Sequence, residues 1–205
     1  MRKKKKPSGR LTAAARRAQL IEIGRTVFAE RGYEATSVEE IASRAEVSKP
    51  VLYDHFGGKE GLYAVVVDRE VERIVEKVAA SVATGTPRAR IENAALAYLT
   101  YVKEHPEGFA VLQRDAPTAS GEMPALMYDL ADRVSKVFTE QFAEGGYDAK
   151  TAPVYAHALV GMIAFVGQWW TDSHKPPPVE TVANHIAALA WTGLRHLPKQ
   201  PEFTR

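Results

Sequence analysis

Residues 43–60 read SRAEVSKPVLYDHFGGKE, and this stretch decides the fold. A proline stands inside its apolar run, where it would ordinarily break a helix. With Ser48 as the N-cap, however, Pro50 is the second helical position, where a missing N–H costs little. Val47 and Leu52 then have the spacing of a hydrophobic staple. The pattern predicts a short helix that the proline helps to begin.

This predicted helix has an inner and an outer face. At about 100° per residue, Leu52 and Phe56 point the same way, as a core anchor would. The outer face and its flanks carry Pro50, Val51, Tyr53 and Asp54. A helix that is merely solvated would more often show Lys, Glu or Gln there. The outer face is therefore predicted to contact a partner.

A second short helix precedes this one. The segment VEEIASRA follows a capping box, formed by Ser37 with Glu40 or by Thr36 with Glu39. Two short helices joined by a tight turn make a helix-turn-helix, in which the second helix enters the DNA major groove. The plainer alternative is an ordinary helical corner that binds nothing.

Side chains at the start of the second helix suit the edges of DNA bases. The methyls of Val51 and the ring of Pro50 suit thymine methyl groups. Lys49 can reach guanine or a phosphate, and Asp54 can accept from the amino group of cytosine. These residues are predicted to read the major groove.

Other side chains suit the DNA backbone. Tyr53 and His55 are predicted to bond phosphates, and Lys59 adds a positive charge at the start of the next helix. Residues 1–60 carry 13 Lys+Arg against 8 Asp+Glu, a net of +5, whereas the remaining 145 residues have a net of −3. Residues 1–10, MRKKKKPSGR, are predicted to be a basic arm that is disordered when free. The imbalance favours a polyanionic partner.

The block from Leu20 to Lys59 resembles the N-terminal domain of the TetR (tetracycline repressor-like) transcription regulators. In that family a Phe-x-x-x-Gly-Tyr helix end leads to a Thr-Ser cap, an Ile-Ala pair, a Val-Ser turn, a Leu-Tyr-x-His-Phe helix and a lysine. The matching residues are Phe28, Gly32, Tyr33, Thr36, Ser37, Ile41, Ala42, Val47, Ser48, Leu52, Tyr53, His55, Phe56 and Lys59. One departure is Glu46, at a turn position usually held by glycine. If its φ is positive, the strain costs about 1 kcal/mol.

The resemblance implies specific contacts and partners. Phosphate contacts would come from Thr36, Tyr53, His55 and Lys59, and Ser48 to Val51 would lie nearest the bases. The predicted DNA-binding residues are Thr36, Ser37, Ser48, Lys49, Pro50, Val51, Tyr53, Asp54, His55 and Lys59. The resemblance also implies a homodimer on a palindromic double-stranded operator, with recognition helices about one DNA turn (roughly 34–36 Å) or a multiple apart.

The rest of the chain has helical periodicity throughout. Helices are predicted at 59–82, 88–104, 107–114, 125–143, 152–171 and 179–197, and no period-2 run indicates a strand. The predicted fold is all-α, with about nine helices. It comprises the arm over 1–10, a three-helix helix-turn-helix domain over 11–58, and a regulatory ligand-binding and dimerisation domain over 59–205.

The last two predicted helices, 152–171 and 179–197, are apolar almost all round. Gly161, Ala164 and Gly167 recur every three residues and allow close helix approach. A chain of 205 residues rarely encloses a helix on all sides. The two helices are therefore predicted to pair with their copies as a four-helix bundle, the interface that the resemblance also implies. The alternative is a monomer that uses them as its core.

The middle helices are candidates for a small-molecule pocket. The candidate lining residues are Tyr98, Tyr101, Phe109, Arg114, Met127, Phe165 and Trp169. Most apolar side chains in this region must simply be core, and Arg114 would supply a polar end. By family analogy the pocket would suit an apolar or amphipathic effector.

The sequence gives little support to enzymes, metal proteins or membrane proteins. It has no G-x-S-x-G, H-E-x-x-H or G-x-x-x-x-G-K-[ST] motif, no cysteine, and six scattered histidines. No catalytic residue, metal or cofactor is predicted. No window approaches 18 uninterrupted apolar residues, so no membrane span is expected. A cytoplasmic location is predicted, and the absence of cysteine fits a reducing compartment. The leading hypothesis is an effector-released repressor. The alternative is an activator, or an effector-blind regulator controlled by a protein partner.

Overall fold

The computed structural model describes residues 11–113 and 122–199 of the chain. Within these ranges it contains nine α-helices, one 3-10 turn and no strand, which confirms the all-α prediction. The helices are α1 (Ala13–Ala35), α2 (Val38–Arg44), α3 (Lys49–Phe56), α4 (Lys59–Val82), α5 (Pro87–Glu104), α6 (Pro106–Gln113), α7 (Glu122–Gly145), α8 (Ala152–Asp172) and α9 (Val179–Arg195). The predicted basic arm, 1–10, lies outside the described residues.

The chain forms two compact units that divide between Asp68 and Arg69, inside α4. This division comes later than the predicted seam near residue 58. The reason is that Leu62, Tyr63 and Val66, in the first turns of α4, are buried in the N-terminal unit. The helix that begins the predicted regulatory domain therefore also completes the core of the N-terminal unit.

The N-terminal unit is built on the apolar face of α1. The buried residues of that face recur at i, i+1, i+4, i+7 and i+8, the spacing of one side of a helix: Leu20, Ile21, Gly24, Val27 and Phe28. The ring of Tyr63 meets the rings of Phe28 and Tyr33 edge-on, at centroid distances of 5.0 and 4.9 Å. Near the end of α1, Gly32, the glycine of the Phe-x-x-x-Gly-Tyr helix end, leaves helical geometry with a φ of 79°. The interruption allows the chain to turn towards α2.

The C-terminal unit packs α5 along α9 and α7 along α8. Its core includes Ala95 and Leu99 from α5 with four residues of α9: Val179, Val182, Ala183 and Ile186. Met162, Ile163 and Val166 of α8 pack against this cluster. Helix α5 thus contributes to the main apolar cluster, and it also carries Tyr98 and Tyr101, two of the predicted pocket residues.

Helices α8 and α9 leave a large apolar surface uncovered. We define the α8–α9 face by its four most exposed large residues: Val154, Phe165, Trp169 and Leu189, which are 67, 78, 51 and 68% exposed. A groove of about 240 Å³ runs between the two helices, lined by Leu159 and Met162 on one side and Leu194 and Leu197 on the other. Within the described ranges, one helical segment is long and apolar enough, by length and composition alone, to cross a membrane. It is Ala149–Asp172, which joins the 3-10 turn to α8.

Candidate nucleic-acid interface and effector region

The turn between α2 and α3 is a regular helix ending with an unusual residue in it. The N–H of Val47 donates to the carbonyl of Ala42 at 2.9 Å, and the N–H of Glu46 donates to that of Ser43 at 3.1 Å. This is the double hydrogen bond of a Schellman motif, which places its C′ residue in left-handed geometry. That residue is Glu46, with a φ of 53°. The motif keeps the turn tight although glycine is missing.

Helix α3 is held to the N-terminal unit by its inner face. Leu52 is fully buried, and Phe56 is half-buried with the guanidinium of Arg17 4.8 Å from its ring centroid. This cation–π contact joins the first turns of α1 to the last turn of α3. Sequence reasoning missed Arg17, because no local spacing relates residues so far apart in the chain.

The outer side of α3 carries the residues predicted to read bases, together with Tyr53, which is predicted to bond a phosphate. Ser48, Lys49, Pro50 and Asp54 are exposed, Tyr53 is 53% exposed, and Val51 is half-buried. We call these six residues the reading face. Ser48 caps the helix through its backbone, and its side chain makes no capping hydrogen bond. Its hydroxyl is therefore not committed to the helix end.

Thr36, predicted as a phosphate contact, has a hydrogen bond within the N-terminal unit. This residue is 3% exposed, and its hydroxyl donates to the carbonyl of Gly32 at 2.6 Å. It closes the end of α1 and is not accessible as a phosphate contact. Ser37, in contrast, is exposed and accepts the N–H of Glu40 at 3.1 Å as the N-cap of α2. The Ser37–Glu40 pairing is thus the capping alternative that the structure adopts, and the hydroxyl hydrogen of Ser37 can still be donated outward.

Lys59 is tied to the end of α1. Its ammonium donates to the carbonyl of Tyr33 at 2.9 Å and lies 4.2 Å from the centroid of the Tyr33 ring. Burial raises the pKa of Tyr33, with smaller contributions from Glu60 and Glu34. An ammonium has three donors, so this bond leaves two of them for a phosphate. His55 is half-buried with its ring 6.0 Å from that of Phe56.

Lys49, the first residue of α3, is paired with an acidic residue of α2. Its ammonium donates to Oε1 of Glu39, and both side chains are exposed. This hydrogen bond lowers the pKa of Glu39, with a further contribution from the backbone N–H of Glu39 itself. Sequence reasoning considered Glu39 only as a capping residue and therefore missed this pair.

Two of the predicted pocket residues meet in the core of the C-terminal unit. Tyr98 and Phe109 are buried, with their rings edge-to-face at 6.3 Å. The hydroxyl of Tyr98 is buried without a hydrogen-bond partner, and burial raises the pKa of this tyrosine well above its usual range. A Cβ on Gly167 would lie 2.5 Å from Cε1 of Tyr98, so only glycine lets the backbone of α8 lie on this ring. The amide oxygen of Gln168, the next residue, is also buried without a partner.

Tyr101, one turn further along α5, has a partner inside the protein. Its hydroxyl donates to Oε2 of Glu70 at 2.8 Å, and Arg73 lies 2.7 Å from Oε1 of the same carboxylate. Glu70 is 2% exposed. A Cβ on Gly108 would collide with this carboxylate, so α6 lies directly against the pair. The Tyr101 hydroxyl thus links α5 to α4.

The structure does not bring the remaining predicted pocket residues to Tyr98. Phe165 and Trp169, also predicted as pocket candidates, are exposed on the α8–α9 face. These two apolar side chains belong to the exposed surface of α8. Met127 of α7 is half-buried, and Arg114 lies outside the described residues.

A helix-turn-helix with a buried anchor and an exposed outer face defines a DNA-binding regulator. The family model described as bacterial regulatory proteins, tetR family, matches residues 20–66. The model described as tetracyclin repressor-like, C-terminal domain, matches residues 76–204. The chain therefore belongs to the TetR family, a family of transcriptional regulators and not of enzymes.

Relatives cover nearly the whole chain. The HTH-type transcriptional activator FasR of Mycolicibacterium smegmatis is 30% identical over 96% of this chain and 94% of its own length. The HTH-type transcriptional repressor KstR2 of the same species is 23% identical over 88% of this chain and 91% of its own. A TetR-like transcriptional regulator from Rhodococcus sp. RHA1, of solved structure, is 30% identical, has a TM-score of 0.73, and is matched over 92% of this chain and 100% of its own.

Proposed function

We propose that this regulator is a dimeric repressor, which binds a palindromic operator in the cytoplasm and is released by a small, largely apolar effector. The observation that carries the proposal is the exposed α8–α9 face. The direction of regulation is supported by relatives that are named repressors, such as KstR2.

The α8–α9 face has the chemistry of a self-association surface. Phe165 and Leu189 are 78 and 68% exposed, which is costly for an apolar side chain that stays in water. A Cβ on Gly161 or Gly193 would meet nothing within 4 Å, so a second helix can approach the backbone there. A two-fold axis beside these helices would bring α8 and α9 of both copies into a four-helix bundle.

A dimer explains how the reading face selects an operator. One short helix contacts only a few base pairs, whereas two related by a two-fold axis read two half-sites with a fixed separation. The operator would then be palindromic. Its half-sites would meet Lys49, Val51 and Tyr53 of each copy.

The effector region rests on the buried hydroxyl of Tyr98. A buried donor without a partner costs about 1–3 kcal/mol, and a ligand that accepts its hydrogen bond removes that cost. The neighbouring ring of Phe109 is apolar. We therefore propose an effector with an apolar body and one hydrogen-bond acceptor. Such a ligand shifts the protein between two states only if it binds one of them more tightly.

A second candidate function is transcriptional activation. It is favoured by the name of FasR, which is an activator and matches this chain over nearly its full length. A reporter gene placed behind the operator separates the two candidates. Deleting the regulator raises expression if it represses and lowers expression if it activates.

The dimer is tested with Phe165→Glu in the full-length chain. Because the side chain is exposed in one copy, the variant should fold normally. In a dimer it would bury an unpaired carboxylate and lose the contacts of the ring, at a cost of about 3 kcal/mol or more. Dimer dissociation, measured by sedimentation, should therefore become at least about 100-fold easier. The matched control is Val137→Glu on α7, which is 45% exposed and outside this face.

Two outcomes would count against the dimer. One is a wild-type protein that sediments as a monomer at micromolar concentration. The other is a Phe165→Glu protein that dimerises as tightly as the Val137→Glu control. Operator binding provides a second measurement, because loss of the dimer should also weaken binding to the full palindrome while leaving half-site binding unchanged.

A further inference from the structure

We propose that Glu39 is a specificity-determining residue of the DNA interface, which cancels the charge of Lys49 so that the reading face gains no affinity for duplex of arbitrary sequence. This inference rests on the proposed function, since it takes the reading face to meet DNA. It adds a residue of the first turn of α2 to the predicted DNA-binding residues.

The position of the pair supports this role. Lys49 is the first residue of α3 and Glu39 is the second of α2, so the bond joins the leading ends of both helices. The side chains are 51 and 61% exposed. Exposed ion pairs contribute little to stability, so holding the fold together does not account for this one. Without Glu39, the Lys49 ammonium would be a free cation at the start of the reading face. In the protein without DNA it is already paired.

The carboxylate of Glu39 is ionised under ordinary conditions. The bond from Lys49, the first cause, and the bond from its own backbone N–H, the second, lower its pKa. It also lies in the first turn of α2, where the helix dipole favours a negative charge. The adjacent Glu40 is matched separately, by Arg44 at 2.8 Å and Arg31 at 3.6 Å. Lys49 and Glu39 therefore form their own neutral pair.

A neutral pair changes how a lysine contributes to DNA binding. Each phosphate neutralised by a free cation releases counterions and adds about 0.9 to the slope of log K against log salt. For Lys49 to bind a phosphate it must leave Glu39, which places an uncompensated carboxylate beside the DNA backbone. Sequence-independent binding therefore gains little from Lys49.

At the operator the same pair has a use. Lys49 can donate to guanine, and Glu39 can accept from the amino group of cytosine, so the two can read neighbouring bases without separating. Where the bases do not match, neither group gains a partner. The pair thus raises the ratio of operator binding to general binding by weakening the latter.

The test needs no knowledge of the operator. Binding of the full-length protein to a random-sequence duplex is measured by fluorescence anisotropy between about 50 and 200 mM salt. Glu39→Gln frees Lys49, so the slope should steepen by about 0.9, equivalent to losing about 3.5-fold more affinity than wild type across that range. In Glu39→Gln/Lys49→Met the slope should return to the wild-type value.

The matched control is Glu30→Gln. It removes one acidic charge from the same unit and breaks a cross-helix ion pair, between Glu30 and Arg44 at 2.7 Å, outside the reading face. Its slope should equal that of wild type. The melting temperatures of the wild-type protein and its three variants check that each protein is folded.

Two results would overturn the proposal. One is a Glu39→Gln slope equal to that of wild type. The other is a steeper slope that persists in the double variant, since the effect would then be general charge and not Lys49. If binding of the wild-type protein to duplex shows no salt dependence, the assignment of the reading face to DNA is contradicted instead. The wild-type measurement alone distinguishes this failure from a failure of the Glu39 proposal.

Discussion

Tyr53 in the N-terminal unit and Phe165 in the C-terminal unit are aromatic side chains that are 53 and 78% exposed. Around Tyr53 the exposed residues of α3 include the charged Lys49 and Asp54 as well as Pro50, and the layer beneath, at Leu52, is apolar and buried. One turn to either side of Phe165 along α8, the exposed residues Gly161 and Trp169 are apolar. The interior of the C-terminal unit holds the buried carboxylate of Glu70 and the unpartnered hydroxyl of Tyr98.

The two units therefore place polar and apolar groups in opposite ways. Exposure of the reading face to water carries little free-energy cost, because its charges are solvated or paired. The α8–α9 face and the Tyr98 hydroxyl both carry a free-energy cost that a partner would remove. We infer that the N-terminal unit is complete before it meets DNA, whereas the second copy and the effector that we propose would each remove a cost in the C-terminal unit.

The largest effect on stability is expected from Tyr101→Phe. It removes a hydrogen bond to a buried carboxylate, and such bonds are worth about 1.5–3 kcal/mol, so the free energy of unfolding should fall by about 2 kcal/mol. Urea unfolding measures this change. The control is Tyr128→Phe, a tyrosine that is 63% exposed and whose hydroxyl is not needed to satisfy a buried charge. Equal unfolding midpoints for both variants would show that Glu70 does not rely on this donor.

The next largest effect is expected on DNA affinity. Tyr53→Ala removes an exposed aromatic from the reading face, and truncation of such a contact typically weakens an interface by about tenfold. Operator binding, measured by gel shift, should fall while the melting temperature stays unchanged. Tyr128→Ala supplies the control for loss of an exposed tyrosine elsewhere. Undiminished operator binding by Tyr53→Ala would remove the outer side of α3 from the interface.

A smaller effect, of opposite sign to that of Tyr101→Phe, is expected from Tyr98→Phe on the same helix. Deleting a hydroxyl that is buried without a partner should raise the free energy of unfolding by about 1 kcal/mol. The same variant should respond less to any effector that accepts this hydrogen bond. Urea unfolding without effector is the measurement. Destabilisation instead would mean that the hydroxyl is already satisfied in solution, and would weaken the case for an effector there.

The smallest effect is expected from Glu46→Gly. Glycine relieves the left-handed strain at this turn, worth about 1 kcal/mol, but it also loses about half of that through greater freedom of the unfolded chain. A net gain of about 0.5 kcal/mol is expected in thermal unfolding. Glu72→Gly inside α4 is the control, because glycine in a regular helix destabilises by about 1 kcal/mol. A loss on Glu46→Gly would show that the side chain contributes a contact that outweighs the strain.

The sequence predicted what depends on neighbours along the chain. The cap at Ser48, the proline that follows it and the interruption at Gly32 are local, and each occurs where its residue type predicts it. The helix-turn-helix follows from two such local patterns and a short turn. The family resemblance, confirmed by matches across the chain, adds the positions that the patterns leave open.

Contacts between distant residues could not be predicted in the same way. Arg17 with Phe56, Lys49 with Glu39, and Tyr101 with Glu70 depend on how helices cross. Hydrophobicity also cannot separate a pocket from an interface. Phe165 and Tyr98 are equally plausible pocket residues in the sequence, but α8 turns one outward and α5 turns the other inward.

The three tryptophans provide a built-in optical probe of one part of the molecule. Trp169 and Trp170 are in α8 and Trp191 is in α9, and the sequence has no others. The indole N–H of Trp170 donates to the carbonyl of Pro177 at 2.8 Å, whereas Trp169 is 51% exposed on the α8–α9 face. The tryptophan emission of this protein, excited selectively over its eight tyrosines, therefore arises wholly from α8 and α9. A blue shift on raising the protein concentration would report the association of these helices without any label, and DNA binding would remain invisible unless it reached them.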